Sequence, residues 1–140
     1  MKISSFFFMI NITTDIQLQA VSIHDQKDLF DLMKRIYPPA YKNYWKDRGN
    51  WYVNDLYTLG NVQKELSEKE TDYYFVVLDD QIIGIFRIVY HVDPYHQRDT
   101  SFVKLHRLYL DQTIQNRGIG KQLMKWLIAR VKQEGYKKLW

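Results

Sequence analysis

The chain has 140 residues, of which 46% are hydrophobic and 26% are charged, and this composition is typical of one globular domain. It contains no cysteine, which excludes a disulfide framework, a thiolate nucleophile and a cysteine-based metal site. The net charge of +4 suits an anionic ligand such as a phosphate, but it is too small to indicate a nucleic-acid-binding surface.

The beginning of the chain holds a short apolar run at residues 3–12. This run is far shorter than the ~20 residues that a membrane-spanning helix needs. A lysine precedes it, as in a secretion signal, but no small-residue cleavage site follows it. We therefore expect residues 1–14 to be an extension or an extra edge strand, and we expect a cytoplasmic protein without a membrane partner.

The sequence pattern predicts the element order β-α-α-β-β-β-α-β. Alternating or β-rich stretches predict strands, helical spacing of apolar residues predicts helices, and the Ser22–Asp25 pair resembles a capping box before the first helix. We expect Pro38 and Pro39 to end that helix. Gly84 indicates a bulge or a close backbone approach, and Gly135 is a C-cap candidate. The predicted strands are 15–22, 73–78, 82–92, 101–110 and 136–140. The predicted helices are one that follows the Ser22–Asp25 pair and is stopped by Pro38 and Pro39, a short one at 41–46, and those at 52–67 and 118–134.

The stretch from Leu105 to Lys121 combines a strand, a polar loop and two glycines at the start of a helix. The first N–H groups of a helix have no intrahelical acceptor, and the helix dipole adds partial positive charge there. Gly118 and Gly120 let the backbone approach a ligand closely, and Arg117 adds formal positive charge. The stretch therefore predicts a site for a phosphate or pyrophosphate.

Two well-known phosphate-binding motifs do not match this stretch. A P-loop has a glycine five residues before its Gly-Lys pair, where this chain has Gln115, and it continues with Ser or Thr, where this chain has Gln122. A dinucleotide-binding fingerprint has a small residue three positions after Gly120, where this chain has Leu123.

The run Gln115-Asn116-Arg117-Gly118-Ile119-Gly120 resembles the Arg/Gln-x-x-Gly-x-Gly/Ala signature of the Gcn5-related N-acetyltransferase (GNAT) superfamily. Residues 105–110 resemble the strand before that signature, and the hairpin at 74–90 resembles the family's second and third strands. The resemblance covers about residues 16–140. It implies an α/β fold in which helices flank a mixed, mainly antiparallel sheet, and a single domain over residues 1–140.

The resemblance also implies acetyl-CoA as a co-substrate and no metal. Backbone amides of the loop and the first helical turn would bind its pyrophosphate, and the preceding strand would pair with its pantetheine arm as an added strand does. The acetyl group would pass directly to an amine of a small molecule or a protein, through a tetrahedral intermediate, with backbone amides polarising the thioester carbonyl. The implied cofactor-binding residues are Leu108, Tyr109, Leu110, Gln115, Asn116, Arg117, Gly118, Ile119, Gly120 and Lys121.

The candidate general base is His106, on the strand before the motif. A free alkylamine has a pKa near ~10, so a base or a water relay is useful at neutral pH. A catalytic histidine lies at a similar position in serotonin-acetyltransferase-like members of the family. The alternative is that His106 is an ordinary strand residue near the cleft, and His91 and His96 are weaker candidates.

Aromatic residues cluster between the first two helices, where this family often places its acceptor site. Because aromatic faces attract cationic amines, Tyr37, Tyr41 and Trp45 are the candidate substrate-binding residues. Tyr44 and Trp51 belong to the same cluster. The alternative for each of these residues is core packing.

The sequence departs from the family at its C-terminal end. Members continue past the strand that begins near Tyr136 with a helix and two more strands, and that helix usually carries the tyrosine that protonates the leaving thiolate. The chain is therefore expected to be C-terminally short, and no residue is assigned as the general acid. The edge at residues 137–140 is a candidate site of homodimerisation.

Three functions are compatible with these observations to different degrees. The leading hypothesis is an acetyl-CoA-dependent N-acetyltransferase. The alternative is a non-catalytic CoA-binding or interaction module. A nucleic-acid binder is the least favoured, because basic residues alternate with acidic ones and no recognition motif is present.

Overall fold

The computed structural model describes residues 9–114 and 117–140, which form a six-stranded sheet with helices on both faces. The predicted site residues Gln115 and Asn116 lie outside the described residues. The strands are β1 (Met9–Asn11), β2 (Ile16–Ala20), β3 (Thr71–Leu78), β4 (Gln81–Tyr90), β5 (Phe102–Leu110) and β6 (Lys138–Leu139). The helices are α1 (Gln26–Tyr41), α2 (Asn50–Leu56), α3 (Leu59–Ser67) and α4 (Ile119–Gln133), with 3-10 turns at Ile23–Asp25 and Gln112–Ile114.

The strands lie in the sheet in their sequence order, from β1 to β6. The four pairs from β1–β2 to β4–β5 are antiparallel, and β5 and β6 pair in parallel. This arrangement confirms the predicted mixed, mainly antiparallel sheet. Before the first predicted strand, β1 at Met9–Asn11 pairs with β2 and forms an edge of the sheet.

Both faces of the sheet are covered by apolar side chains, which explains why β3 is an almost uninterrupted apolar run. Phe75 and Val77 of β3 pack with the helices α1 to α3 on one face. Val76 and Leu78, which point the other way, pack with α4 on the opposite face. The sheet therefore separates two cores, and β4 and β5 contribute to both.

The hairpin between β3 and β4 confirms the prediction made for Gly84. Asp79 and Asp80 form the turn with positive φ angles of 49° and 65°, as tight hairpin turns require. The register shifts after Val76, which pairs with Gly84. A Cβ atom added at Gly84 would lie 2.2 Å from the carbonyl oxygen of Tyr109. Only glycine therefore lets β4 and β5 approach so closely at this point.

The prediction that Pro38 and Pro39 end the first helix is wrong, because α1 continues to Tyr41. Each proline removes one backbone donor, so the last turn of α1 lacks the hydrogen bonds that N–H groups at positions 38 and 39 would make to the carbonyl groups four residues earlier. The ring of Tyr41 stacks on that of Tyr37 at a centroid distance of 4.6 Å, and this packing favours the continued turn.

Two further helix predictions are corrected by the structure. The short helix expected at 41–46 is absent, since turns follow α1 there. The single helix expected at 52–67 is two helices, α2 and α3, because Thr58 interrupts it. The Oγ1 atom of Thr58 accepts a hydrogen bond from the Asn61 N–H at 3.2 Å and caps α3.

Left-handed glycines bound α4 at both ends. Gly118 at its N-cap has a φ of 69°, and Gly135 just beyond its end has a φ of 86°, as predicted for a C-terminal cap. Among the described residues, none of the helices combines the length and the apolar character needed to cross a membrane.

Candidate active site

The site is built around β5, and its first feature is a bulge at His106. Arg107 pairs with Arg87 of β4, whereas Leu105 pairs with Ile88, so His106 is an extra residue in the strand. His106 and Arg107 both line a cavity on the face of the sheet that α1 to α3 cover. Two consecutive side chains on one face are the mark of a β-bulge.

The bulge decides which main-chain groups face the free edge of β5. Trp140 donates to the Val103 carbonyl oxygen at 3.0 Å and accepts from the Leu105 N–H at 2.7 Å, so this part of β5 is paired with the end of the chain. Beyond Leu105, the described residues place no strand on that edge. The Asp111 N–H donates to the Ile83 carbonyl oxygen at 2.8 Å, so Asp111 faces β4.

Backbone alternation then assigns the remaining groups of the strand. Tyr109 faces β4 as Asp111 does, and Leu108 and Leu110 direct their N–H and C=O groups to the open edge. If the same residues formed a regular strand without a bulge, the alternation from Val103 would direct Arg107 and Tyr109 there instead. The predicted pantetheine-binding strand therefore offers donors and acceptors at Leu108 and Leu110, whereas those of Tyr109 face β4.

The second feature is the N-terminus of α4. The first helical hydrogen bond runs from the Gln122 N–H to the Gly118 carbonyl oxygen at 3.0 Å. The N–H groups of Ile119, Gly120 and Lys121 consequently have no acceptor within the helix. They lie beside a cavity of about 310 Å³. Its lining consists of Leu110, Asp111, Ile114, Arg117, Gly118, Ile119 and Gly120.

Arg117 and the N–H groups of α4 make this cavity suitable for an anion, whereas Asp111 brings a negative charge to its lining. Arg117 is exposed and lies 4.0 Å from Asp79, a contact that leaves its charge largely available. Asp111 is the acidic residue of the lining. Burial alone would raise the pKa of Asp111, but hydrogen bonds from Thr113 and Arg35 outweigh burial and lower that pKa. Arg35 thus compensates the carboxylate that an anion would otherwise meet.

The third feature is a stack of tyrosine rings beside the open edge. The ring of Tyr37 lies between those of Tyr41 and Tyr52, at centroid distances of 4.6 Å and 4.4 Å. Tyr109 meets Tyr37 edge-on, and its hydroxyl lies 3.1 Å from that of Tyr52. Tyr37 and Tyr41 of this stack line a cavity of about 250 Å³ together with residues 108–110.

The stack determines how far Tyr37, Tyr41 and Trp45, the three predicted substrate-binding residues, are accessible to a ligand. Tyr37 is buried with both ring faces covered, and its hydroxyl accepts a hydrogen bond from Trp45 Nε1 at 3.0 Å. Tyr37 and Tyr41 line the 250 Å³ cavity, while Trp45 lies behind them. A ligand in the cavity would therefore meet Tyr37 through its edge or hydroxyl, and Tyr41 more openly.

A cluster of buried charged side chains forms the fourth feature, and none of its members was among the predicted site residues. Arg107 makes two hydrogen bonds with the Glu65 carboxylate, at 2.8 Å and 2.9 Å. Arg87 donates from Nη2 to Glu68 at 2.7 Å and lies 3.6 Å from Glu65. Both arginines are buried, and so is Glu65. We call Glu65, Glu68, Arg87 and Arg107 the ion cluster.

The signal for this cluster was present in the strands. Arg87 stands in the apolar run IIGIFRIVY and Arg107 in LHRLYL. A charged side chain at a buried strand position needs an ionic partner, because an unpaired buried charge is very costly. The hydrogen-bonded partners, however, lie 19 and 42 residues away in the sequence, so the pattern of one strand does not reveal them.

His106 lies against the ion cluster and is the most perturbed histidine of the site. Its Nδ1 atom lies 2.7 Å from Nη1 of Arg87. Burial first, and then the charges of Arg107, Arg87 and Lys104, lower the pKa of His106 to about 4, against a smaller opposite effect of Glu68. The imidazole is therefore neutral at pH 7. Its assignment as a general base stays a prediction.

The weaker candidates lie elsewhere. His91 contacts Glu70 and Tyr136, and His96 lies in the loop after β4. Trp51 is exposed in α2, whereas Tyr44, although exposed, lines the 250 Å³ cavity with Tyr37 and Tyr41. A larger cavity of about 440 Å³ lies between Met9, Leu66 and Tyr74, away from the glycine motif. The described residues include no cluster of ligands that could hold a metal ion.

The sequence model of the acetyltransferase (GNAT) family matches residues 27–140, and the chain belongs to this family. The match includes the bulged strand, the glycine motif and α4. Membership supports acetyl transfer as the general class of activity, and acetyl-CoA is the co-substrate that this family uses.

Solved structures of acetyltransferases share the fold at low sequence identity. PaiA N-acetyltransferase from Thermoplasma acidophilum, in complex with coenzyme A, is 18% identical with a TM-score of 0.68, over 88% of this chain and 76% of that one. An aminoglycoside acetyltransferase from an uncultured soil metagenomic sample is 18% identical with a TM-score of 0.62, over 93% and 78%. An acetyltransferase from Salmonella typhimurium that modifies the N-terminal serine of a 50S ribosomal subunit protein is 16% identical with a TM-score of 0.59, over 91% and 70%.

Proposed function

We propose that this protein is an N-acetyltransferase that transfers the acetyl group of acetyl-CoA directly to an amine. The observation that carries the proposal is the adjacency of two sets of backbone groups that find no hydrogen-bond partner among residues 9–114 and 117–140. The free edge of β5 and the first turn of α4 border one cavity, in which Leu110 and Gly120 face each other. The N–H groups of the helix suit a phosphate, and the N–H and C=O groups of the strand edge suit amides, so a long ligand that carries both would match the cavity.

The residues present fit acetyl-CoA. The N–H groups of Ile119, Gly120 and Lys121 would bind its pyrophosphate, and the charge of Arg117 would add attraction. Leu108 and Leu110 would exchange hydrogen bonds with the amide groups of its pantetheine arm. When bound, acetyl-CoA supplies an activated acyl group, and the protein positions the acceptor beside it.

The acceptor in this proposal is an amine of a small molecule or of a protein. The structural neighbours include enzymes whose names specify aminoglycosides and a ribosomal protein as substrates, so the fold does not select between these classes. The cavity beside Tyr37 and Tyr41 has the aromatic lining that attracts a cationic amine. A homodimer through the edge of residues 137–140 remains a prediction.

The first test is calorimetric titration of the protein with acetyl-CoA. The double variant Gly118→Glu and Gly120→Glu places two negative charges where the pyrophosphate would bind. We expect saturable binding by the wild-type protein and a loss of about 100-fold or more in the variant. Gly60→Glu is the matched control, because Gly60 lies in α3 with open space around it.

Turnover with a panel of amines separates the enzyme from the alternative module. Acetylated product from the wild-type protein, and none from the double variant, would support the proposed transfer. Binding of acetyl-CoA without product from any amine would favour the non-catalytic CoA-binding module. Equal binding by the wild-type protein and the double variant would contradict the location of the site.

A further inference from the structure

We propose that Arg87 is a positioning residue that holds His106 in one tautomer, so that His106 acts as a hydrogen-bond donor to the cavity that it lines with Glu68 and Lys104, and not as a base. The role in acetyl transfer rests on the function proposed above, whereas the tautomer does not. In this proposal His106 donates a hydrogen bond, whereas the sequence predicts that it accepts a proton as a general base.

The first step is the chemistry of the contact. Nη1 of Arg87 lies 2.7 Å from Nδ1 of His106, within hydrogen-bond distance. A guanidinium has only N–H donors and stays charged in proteins, so the imidazole nitrogen must accept. Nδ1 therefore carries the lone pair, and in the neutral ring the proton is on Nε2.

The second step is that Arg87 has no freedom to turn away. It is almost fully buried in the middle of β4, with 2% of its surface exposed. Its Nη2 atom donates to Glu68 at 2.7 Å, and Glu65 lies 3.6 Å from Nη1. These two carboxylates fix the plane of the guanidinium, and the plane fixes the direction of the N–H that meets His106.

The third step is that the bulge brings His106 to this contact. His106 is the extra residue opposite Arg87 and Ile88, and its side chain shares a face with that of Arg107. Both residues line a cavity of about 270 Å³ with Glu68 and Lys104. The ring is only partly buried there, so a molecule in this cavity, which is distinct from the one beside Tyr37 and Tyr41, can meet it.

The charged groups around the ring favour its neutral form. The cations are Arg87 on β4 and Arg107 and Lys104 on β5, and the opposing anion is Glu68 at the end of α3. With Nδ1 occupied and Nε2 protonated, the neutral ring has no free lone pair for an amine proton. Its one N–H, on Nε2, is available to an oxygen of a molecule in this cavity.

The tautomer can be measured directly in the wild-type protein. Long-range ¹H–¹⁵N correlation NMR distinguishes the protonated from the unprotonated ring nitrogen of each histidine, and His106→Asn assigns the signals. We expect His106 to show an unprotonated Nδ1 and a protonated Nε2 from pH 8 down to about pH 5. A protonated Nδ1 in this range, or titration near pH 6.5, would overturn the proposal.

Variants then test whether Arg87 is the cause. In Arg87→Gln we expect both tautomers to be populated and the pKa of His106 to rise towards its ordinary value of ~6.5. Lys104→Gln is the matched control, because it removes a nearby positive charge and leaves the contact with Nδ1 intact. An unchanged single tautomer in Arg87→Gln would contradict the assignment. If that variant does not fold, the wild-type measurement alone decides.

Kinetics connect the tautomer to the reaction. We expect His106→Asn to lower kcat by about tenfold or more with little change in the KM for acetyl-CoA. The pH profile of the wild-type kcat should have no limb that belongs to His106 above pH 5. A limb that disappears in His106→Asn would make His106 the base and overturn the proposal. No turnover at all, with the expected tautomer present, would contradict the proposed function and leave the positioning by Arg87 intact.

Discussion

The two faces of β5 serve two regions that are built in different ways. Around the start of α4, the binding groups are main-chain N–H and C=O groups of residues close together in the sequence. Around His106, they are charged side chains that come from α3, β4 and β5. The first region depends on where the backbone runs, and the second depends on which side chains meet.

The difference determines how each region should respond to mutation. A backbone site tolerates most side-chain changes and fails when an added Cβ or a changed φ moves the chain. A buried ion cluster fails when one partner is removed, because the remaining charge is left desolvated. The four predictions that follow test this contrast, beginning with the largest expected effect.

The largest effect is expected from Glu65→Ala, which leaves the buried Arg107 without its bidentate partner. We expect the free energy of unfolding in urea to fall by about 3–5 kcal/mol. The double variant Glu65→Leu with Arg107→Met replaces the pair by apolar side chains and should recover most of that loss. A loss below about 1 kcal/mol in Glu65→Ala would mean that the cluster is hydrated.

The next effect is expected from Gly84→Ala, which acts on the backbone region from β4. The new Cβ would lie 2.2 Å from the Tyr109 carbonyl oxygen, so β5 must move. We expect a loss of about 1–3 kcal/mol in the free energy of unfolding and weaker binding of acetyl-CoA. Gly60→Ala is the matched control, and it should be neutral or stabilising by up to about 1 kcal/mol. Equal stability of the two variants would contradict the close approach.

A smaller effect is expected from Gly118→Ala. Its φ of 69° is unfavourable for alanine, although no neighbouring atom would touch the new Cβ. We expect a loss of about 1–2 kcal/mol from backbone strain. Gly118→Asn should lose less, because asparagine tolerates the left-handed region. If thermal unfolding shows both variants to be as stable as the wild-type protein, the left-handed N-cap is wrong.

The smallest effect is expected from pH, through His106. Because its folded pKa of about 4 lies below the ordinary 6.5, the unfolded state binds more protons between these values. The resulting stabilisation is complete above pH 6.5 and is lost as the pH falls towards 4. After allowance for solvent screening of a half-buried ring, we expect a loss of about 1 kcal/mol. His106→Asn should flatten this slope in urea unfolding curves measured from pH 7 to 4.5.

The same contrast explains what the sequence could predict. The strands, α4 and the glycine motif were predictable, since their signals are periodicities and spacings within short stretches. The helix boundaries near Pro38 and Thr58 were not, because ring stacking on Tyr37 and a side-chain cap decided them. Propensity alone does not include such tertiary contacts.

Within the candidate site, the sequence predicted backbone contacts from Leu108, Tyr109 and Leu110, but it did not predict that only Leu108 and Leu110 face the open edge. The reason is the bulge, which becomes visible only when the register with β4 is known. The ion cluster was missed for a related reason, since Glu65 and Arg107 are 42 residues apart. The spacing of residues in the sequence predicts which residues are neighbours within one helix or strand, but it does not predict contacts between different helices and strands.

The extra residue at His106 also has a consequence for changes in chain length. If residue 106 were deleted, Leu105 and Arg107 would become neighbours in a regular strand, and the alternation on both sides would remain as it is now. Leu108 and Leu110 would still face the open edge, while Nη1 of Arg87 would lose its nitrogen acceptor. A chain shorter by this one residue should therefore keep the fold and the backbone groups of the β5 edge, and lose only the imidazole of His106. Deletion of a single codon would thus separate the role of the backbone from that of the histidine.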